Sequence, residues 1–221
     1  MVTIVTVLKS GKEYRAAHVQ WLHAQLPENI PAICLSDVEI PGITTLPLMG
    51  NWPGWWSKLE IFNPDLPGIG DQDLLYLDLD TVITGDITPL LEVKTFIAAT
   101  DFYREKYPVP PMNSTVMYIP TEIKNIVWTA WLNDPEKHMR ECTLPHKHGD
   151  QGFIGSIVDP LRWQDVMPGA IVSYKKDIAA VGRWSHSVGN GTVPKGTRLV
   201  CFHGQPRPWQ SGESWVPPLT D

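Results

Sequence analysis

The first residues alternate little: Ile4, Val5, Val7 and Leu8 are apolar and mostly β-branched, with Thr6 between them. That run reads as a buried strand, closed by a Ser10-Gly11 turn. Tyr14, Ala17, His18, Trp21, Leu22 and Gln25 then recur at helical spacing, and Pro27 ends the predicted helix. Pro31 to Leu35 predicts a second short strand, giving a βαβ opening. Asp37 to Pro53 is rich in Pro and Gly and reads as loops. Trp55, Leu59 and Phe62 suggest a short helix with Lys58 on another side. Asp73–Leu77, Phe96–Ala99, Val116–Ile119 and Arg198–Phe202 read as strands, with a polar, Pro-rich loop at Tyr103–Pro111. Thr121–Leu132 reads as a helix capped by Thr121, and Gln151–Val158 as one entered through Gly149-Asp150. Strands alternating with helices imply an α/β fold with a mostly parallel sheet. No repeat or linker divides residues 1–221, so a single domain is expected.

Composition narrows the function classes. Hydrophobic residues make up 43% and charged residues 19%, which excludes general disorder. The net charge is -6 with no run of Lys or Arg, which argues against a nucleic-acid or anionic-membrane surface. Cys34, Cys142 and Cys201 are odd in number and widely spaced, so a reducing, cytoplasmic setting is expected. The opening apolar run is too short for a membrane span and lacks a basic leader.

The strongest chemical signal is Leu74-Leu75-Tyr76-Leu77-Asp78-Leu79-Asp80-Thr81. A buried strand delivers two carboxylates to its C-terminal end, the place where open α/β sheets bind ligands. Hard oxygen donors at i and i+2 suit Mn²⁺ or Mg²⁺ together with phosphate oxygens. A surface turn is the bland alternative. The same string also opens phosphatases of the haloacid-dehalogenase type, with Asp78 as nucleophile, but those need a later acidic pair that is not found here. A second cluster, Cys201-Phe202-His203-Gly204-Gln205-Pro206-Arg207, offers a nitrogen ligand, a close-approach glycine and a phosphate clamp. A third, Gly149-Asp150-Gln151-Gly152, begins a helix and aims polar groups from its start, unless Asp150 is only a cap.

Taken in order with Ala98-Ala99-Thr100-Asp101 and Asn113-Ser114-Thr115-Val116-Met117-Tyr118, these pieces resemble the family 8 retaining glycosyltransferases, which have the GT-A fold. The resemblance implies a single Rossmann-like α/β domain with a mixed, mostly parallel sheet flanked by helices. It also implies a UDP-sugar donor, a Mn²⁺ cofactor (Mg²⁺ as substitute) and an acceptor that is a saccharide, a protein or a small molecule. By that likeness Thr6 and Val7 would hold the uracil through their backbone, and Tyr14 would stack on it. Asp78, Asp80 and His203 would bind the metal. Lys58, Asp101, Asn113 and Ser114 would line the donor sugar, Gly204 and Arg207 the diphosphate, and Asp150 and Gln151 the reacting centre.

The chain departs from the family pattern in two places. The family's metal histidine falls where this chain has Cys201, so His203 is displaced by two residues, a shift that preserves the face of a strand. Arg207 replaces a lysine, keeping charge but not geometry. Each assignment also has a plainer alternative: Lys58 facing solvent, Tyr14 packing its helix, Asn113 and Ser114 turning the chain, Asp101 an ordinary loop carboxylate. His138, Cys142, His146 and His148 have a zinc-like spacing broken by Pro145. Trp52, Trp55 and Trp56 are either core or a sugar-stacking surface, the latter being what a non-catalytic carbohydrate-binding protein would use.

Overall fold

The structure is a computed structural model that describes residues 2–104, 107–108 and 110–220. Glu105, Lys106 and Val109 of the expected Tyr103–Pro111 loop lie outside the described residues.

The chain runs β1 (Val2–Leu8), α1 (Ala16–His23), β2 (Ala32–Ser36), β3 (Thr45–Pro47), a 3₁₀ helix (Gly54–Phe62), β4 (Asp73–Leu77) and β5 (Thr81–Ile83). Next come β6 (Ile97–Thr100), β7 (Met112–Ile119), α2 (Thr121–Asn133), α3 (Pro135–Glu141), the short strands β8 (Thr143–Leu144) and β9 (Lys147–His148), and α4 (Gly149–Ile157). The last part comprises β10 (Leu161–Arg162), α5 (Trp163–Val166), β11 (Ile171–Ser173), β12 (Leu199–Cys201) and a 3₁₀ turn at Pro208–Gln210. The main sheet has the order β10-β6-β7-β4-β1-β2-β3. Its pairings are parallel except that β7 runs antiparallel to both β4 and β6. A second sheet, β11-β12-β5, takes up the chain directly after the Asp78–Asp80 turn. The fold is the expected α/β architecture with a mixed, mostly parallel sheet.

Strand periodicity explains the layers. On β1, Ile4 and Leu8 pack in one buried cluster with Val19 and Leu22 of α1, whereas Val5 packs in another with Leu59 and Phe62 of the 3₁₀ helix. On β4, Leu75 and Leu77 join the first cluster and Leu74 and Tyr76 the second. A sheet covered on both faces needs apolar side chains at every position, which is why these strands read as continuous hydrophobic runs. On α2 the buried positions are Lys124, Val127 and Trp131, a helical stripe. Lys124 is tolerated there because its ammonium donates to the carbonyls of Ile69, Gly70 and Gln72.

Several boundaries differ from the sequence reading. Tyr14 lies before α1 rather than on it. The expected 37–53 loop contains β3, an edge strand of three residues ending in proline. The Trp55–Phe62 helix is 3₁₀, and Lys58 on it is 6% exposed, which sets aside the plainer solvent-facing alternative. Pro120, not Thr121, is the N-cap of α2; Thr121 donates from its amide and hydroxyl to Asp73. β7 begins four residues earlier than expected, which puts Asn113 and Ser114 on a strand. Its register with β6 jumps from Ala98–Met117 to Ala99–Asn113. Such irregularities re-aim side chains, and this one lies beside the site.

Candidate functional site

A cavity of about 470 Å³ opens where β1 and β4 end, walled by the 3₁₀ helix, the start of α4 and the segment after β12. Twelve of the fourteen sequence-predicted site residues line it: Val7, Tyr14, Lys58, Asp78, Asp80, Asn113, Ser114, Asp150, Gln151, His203, Gly204 and Arg207. Thr6 and Asp101 do not line it. Thr6 lies on the α1 face of β1, where its hydroxyl meets His23 Nε2 at 2.9 Å, while Val7 turns to the cavity. The alternation of a strand places these neighbours on opposite faces.

Asp78 and Asp80 reach two different cations. β4 ends at Leu77; Asp78 still donates its amide to Thr115 O, and Thr81 N donates back to Asp78 O, closing a tight turn. Asp78 Oδ1 is 3.0 Å from Lys58 Nζ and accepts from the Tyr76 hydroxyl. Lys58 Nζ is also 3.0 Å from Asp150 Oδ2 and donates to Ser114 Oγ, whose hydroxyl donates to Asp150 Oδ2 at 2.7 Å. Asp80 Oδ2 accepts from Arg207 Nη1 and, at 3.5 Å, from the Gly204 amide. Arg207 grips Glu13 with its other nitrogens, through Nε at 2.7 Å and through Nη2. Each cation is thus held between two carboxylates, Lys58 between Asp78 and Asp150, Arg207 between Asp80 and Glu13.

The electrostatics follow from this packing. Burial raises the Asp78 carboxyl above the usual carboxylate range; Lys58 pulls against that, and the nearby Asp80 charge adds to it. Burial alone would lower Lys58, but Asp150 and Asp78 outweigh it and hold the ammonium above its ordinary value. Arg207 is raised in the same way, with Glu13 and Asp80 overcoming burial. Burial and the Asp80 charge push up the Tyr14 hydroxyl. The Tyr14 face is covered by the Arg207 guanidinium, 4.9 Å from the ring centroid, so as it stands Tyr14 stacks on an arginine.

The third expected metal ligand sits apart from the other two in its bonding. β12 ends at Cys201, so the argument that a two-residue shift keeps the face of a strand fails: His203 lies beyond the strand with φ +36. Its Nε2 meets Ser173 Oγ at 2.6 Å, its ring stacks on Phe102 at 5.0 Å, and burial followed by the Lys175 charge pushes it down to about 3. Cys201 is fully buried. Among the described residues no three His, Cys, Asp or Glu side chains are grouped as a metal-holding set. The two aspartates nevertheless suit a divalent ion. The partners given above engage Oδ1 of Asp78 and Oδ2 of Asp80, and both residues line the same cavity. Two carboxylates against one cation leave each triplet with one negative charge in excess, two in all.

Gln151 lies between Asn113, whose Nδ2 is 3.3 Å from its Oε1, and Asp101, whose Oδ2 is 3.4 Å from its Nε2. Asp101 also accepts from Arg104 and the Tyr103 amide, so it supports Gln151 from outside the cavity. Residues not anticipated as donor or metal contacts complete the wall, among them Lys9, Lys12, Glu13, Ser57 and Tyr76. Glu13 was the hardest to find, since one charged residue in a turn carries no periodic signal. The zinc-like spacing comes to nothing as a cluster: His138 bonds the Ala130 carbonyl and packs on Phe153, and Cys142 is a buried free thiol. Trp52 and Trp56 pack against Trp131 in the core, whereas Trp55 lines the cavity. No helix among the described residues is long and apolar enough to cross a membrane.

No sequence-family model matches the chain, and no curated protein matches it either. Solved structures do. An active-site mutant of LgtC superposes with a TM-score of 0.57 at 12% identity, covering 96% of this chain and 91% of that one. The galactosyltransferase LgtC in complex with donor and acceptor sugar analogues gives 0.55 at 14% identity, covering 96% and 90%. The glycosyltransferase GlyE of Streptococcus pneumoniae gives 0.61 at 16% identity, covering 96% of this chain and 57% of that one. At these identities the likeness speaks for architecture: the chain has the GT-A-like fold of these glycosyltransferases.

Proposed function

We propose that the protein transfers a hexosyl group from a UDP-sugar to an acceptor with retention of anomeric configuration, using Mn²⁺, for which Mg²⁺ can substitute. The observation that carries this reading is the convergence of Asp78, Asp80, Lys58, Asp150 and Arg207 on one cavity at the C-terminal edge of a mostly parallel sheet. The solved relative bound to donor and acceptor sugar analogues supports the same reaction class.

In this reading Asp78 and Asp80 hold the cation, and His203 shapes the wall next to them. When bound, the ion would neutralise charge on the departing diphosphate. Val7 and Tyr14 flank the nucleoside end, and the Gly204 amide lies where a phosphate oxygen can approach a backbone without a side chain in the way. Lys58 and Ser114 fix Asp150, and Asn113 and Asp101 fix Gln151, so the two residues at the start of α4 face the sugar in set orientations. Asp150 Oδ2 already bears an ammonium and a hydroxyl, which makes it a poor nucleophile. Retention is therefore assigned to departure and attack on one face of the sugar. The bond from the anomeric carbon to the diphosphate breaks, the bond to the acceptor oxygen forms, and the leaving phosphate oxygen takes the acceptor proton.

Titration calorimetry with UDP, with and without Mn²⁺, tests the reading. Metal-dependent UDP binding that Asp78→Asn and Asp80→Asn each weaken is the expected result. Metal-independent binding, or release of phosphate from sugar phosphates through Asp78, would reject it in favour of the phosphatase alternative. Sugar binding with no affinity for UDP would leave a carbohydrate-binding protein instead.

A further inference from the structure

Three tryptophans crowd the segment before β4, and they have different fates. Trp56 is 7% exposed and stacks on Trp131 at 5.4 Å; Trp52 meets the same ring edge-on at 5.3 Å. Trp55 is 55% exposed, although it lies between them in sequence and lines the cavity. Among the described residues, no other that lines the cavity is an exposed large hydrophobic one. An indole left in solvent beside a charged cleft loses burial energy that its two neighbours gain, so its position calls for a ligand.

The indole is also fixed in place. Gly54, with φ +57, turns the chain just before it. A Cβ on Gly149 would lie 3.2 Å from Trp55 Nε1, so the ring rests against the glycine that begins α4, itself at φ +63. The next two residues of that helix are Asp150 and Gln151. The His148 ring is 6.0 Å away at an interplanar angle of 52°, forming a second wall of the same rim.

We infer that Trp55 is the stacking platform for the acceptor, and that the acceptor is a pyranose-bearing saccharide. The inference rests on the transfer reading above and names the substrate class for its second half-site. A pyranose presents an apolar C–H face that fits a flat indole, while its rim of hydroxyls can reach Asp150, Gln151 and His148. A polypeptide acceptor is the alternative occupant, and peptide probes in the test below separate it from a saccharide.

The test uses the whole chain labelled with ¹⁵N, in the presence of UDP and Mg²⁺, with the Trp55 indole N–H resonance assigned by its loss in Trp55→Phe. Methyl β-lactoside and methyl α-glucopyranoside are the saccharide probes; a blocked Ser peptide and acetyl-tyrosinamide represent protein acceptors. At least one glycoside should shift the Trp55 resonance saturably at millimolar concentration, and Trp55→Ala should weaken that binding about tenfold or more. UDP affinity by calorimetry should stay unchanged in Trp55→Ala, which also shows that the variant is folded. A shift caused by the peptides and not the glycosides overturns the inference, as does glycoside binding that survives Trp55→Ala. UDP binding with no response of Trp55 to either glycoside overturns it alone, whereas failure of the wild-type protein to bind UDP removes the transfer reading and the inference with it.

Discussion

Replacing Lys58 by methionine keeps most of the apolar stem and removes only the ammonium. Lys58 is 6% exposed and has Asp78, Asp150 and Ser114 at 3.0 Å, so the change leaves the half-buried Asp78 and the buried Asp150 carboxylates facing each other without a cation. Breaking a buried pair by removing one partner costs about 3–5 kcal/mol; a second orphaned carboxylate adds to the cost and the partial solvation of Asp78 subtracts from it, which places Lys58→Met at about 4 kcal/mol. With a urea m-value of about 3 kcal/mol/M, suited to a chain of this size, the unfolding midpoint should fall by roughly 1.3 M. The sign of its pH dependence is fixed as well. Without Lys58, the buried carboxyls have folded pKa values above their unfolded ones and take up protons before the unfolded chain does. The folded variant therefore binds more protons between those values, its stability falls as pH rises, and its deficit is larger at pH 7.5 than at pH 5. Adding Asp150→Asn to Lys58→Met should recover a large part of the loss, because the residues are in contact and couple. A midpoint for Lys58→Met within about 0.3 M of wild type at both pH values would refute the idea that the ammonium holds these carboxylates.

Glu13→Gln removes the carboxylate that occupies two nitrogens of Arg207, and under the proposed function it should tighten UDP–Mn²⁺ binding about tenfold, from charge-assisted bonds of about 1.5–3 kcal/mol that the diphosphate no longer has to displace. Calorimetry giving equal or weaker affinity would show that Glu13 helps to orient Arg207 instead. Burial lowers His23 from 6.5 to about 4, so the unfolded state binds the extra proton first and stability is lost as pH falls from 6.5 to 4. The loss should be about 2 kcal/mol at pH 5, and His23→Gln should flatten that part of the stability–pH curve measured by urea unfolding; an unchanged slope would refute the assignment.

The sheet was readable because a strand buried on both faces leaves an uninterrupted apolar run, as at Ile4–Leu8 and Leu74–Leu77. The Asp78–Asp80 turn was readable for the same reason, since charged residues at the end of such a run need an explanation. What escaped were features set by tertiary contact. Nothing local in the sequence buries Lys58: its place at the site came only from the family resemblance, and Asp78, Asp150 and Ser114, which surround it, are distant along the chain. β3, β5 and β11 have three residues each, too short to show a period. Trp52, Trp55 and Trp56 share one composition signal, and only Trp131, which stands some 75 residues further along the chain, separates the core pair from the exposed one. Thr6 and Val7 were expected to act together through their backbone; of the two only Val7 lines the cavity, because neighbours on a strand turn to opposite faces.

The two triplets also account for why a diphosphate site in this chain would need a metal. A protein can bind an anion with unpaired Lys and Arg, but here both buried cations are already outnumbered by carboxylates, Lys58 by Asp78 and Asp150, Arg207 by Asp80 and Glu13. That arrangement keeps the empty cleft from gathering excess positive charge, and it fixes each side chain through two partners instead of one. Its consequence is that neither Lys58 nor Arg207 is free to meet a diphosphate; with Lys9 and Lys12 also on the wall, the four cations and four carboxylates that line the cavity balance. Under the proposed function, a divalent cation held by Asp78 and Asp80 would supply the positive charge that the paired Lys58 and Arg207 do not, so metal and nucleotide are expected to bind as a linked pair, each raising the affinity of the other by the same factor. On this argument the order of addition does not matter to the final affinity, and UDP should raise the apparent affinity for Mn²⁺ as much as Mn²⁺ raises that for UDP.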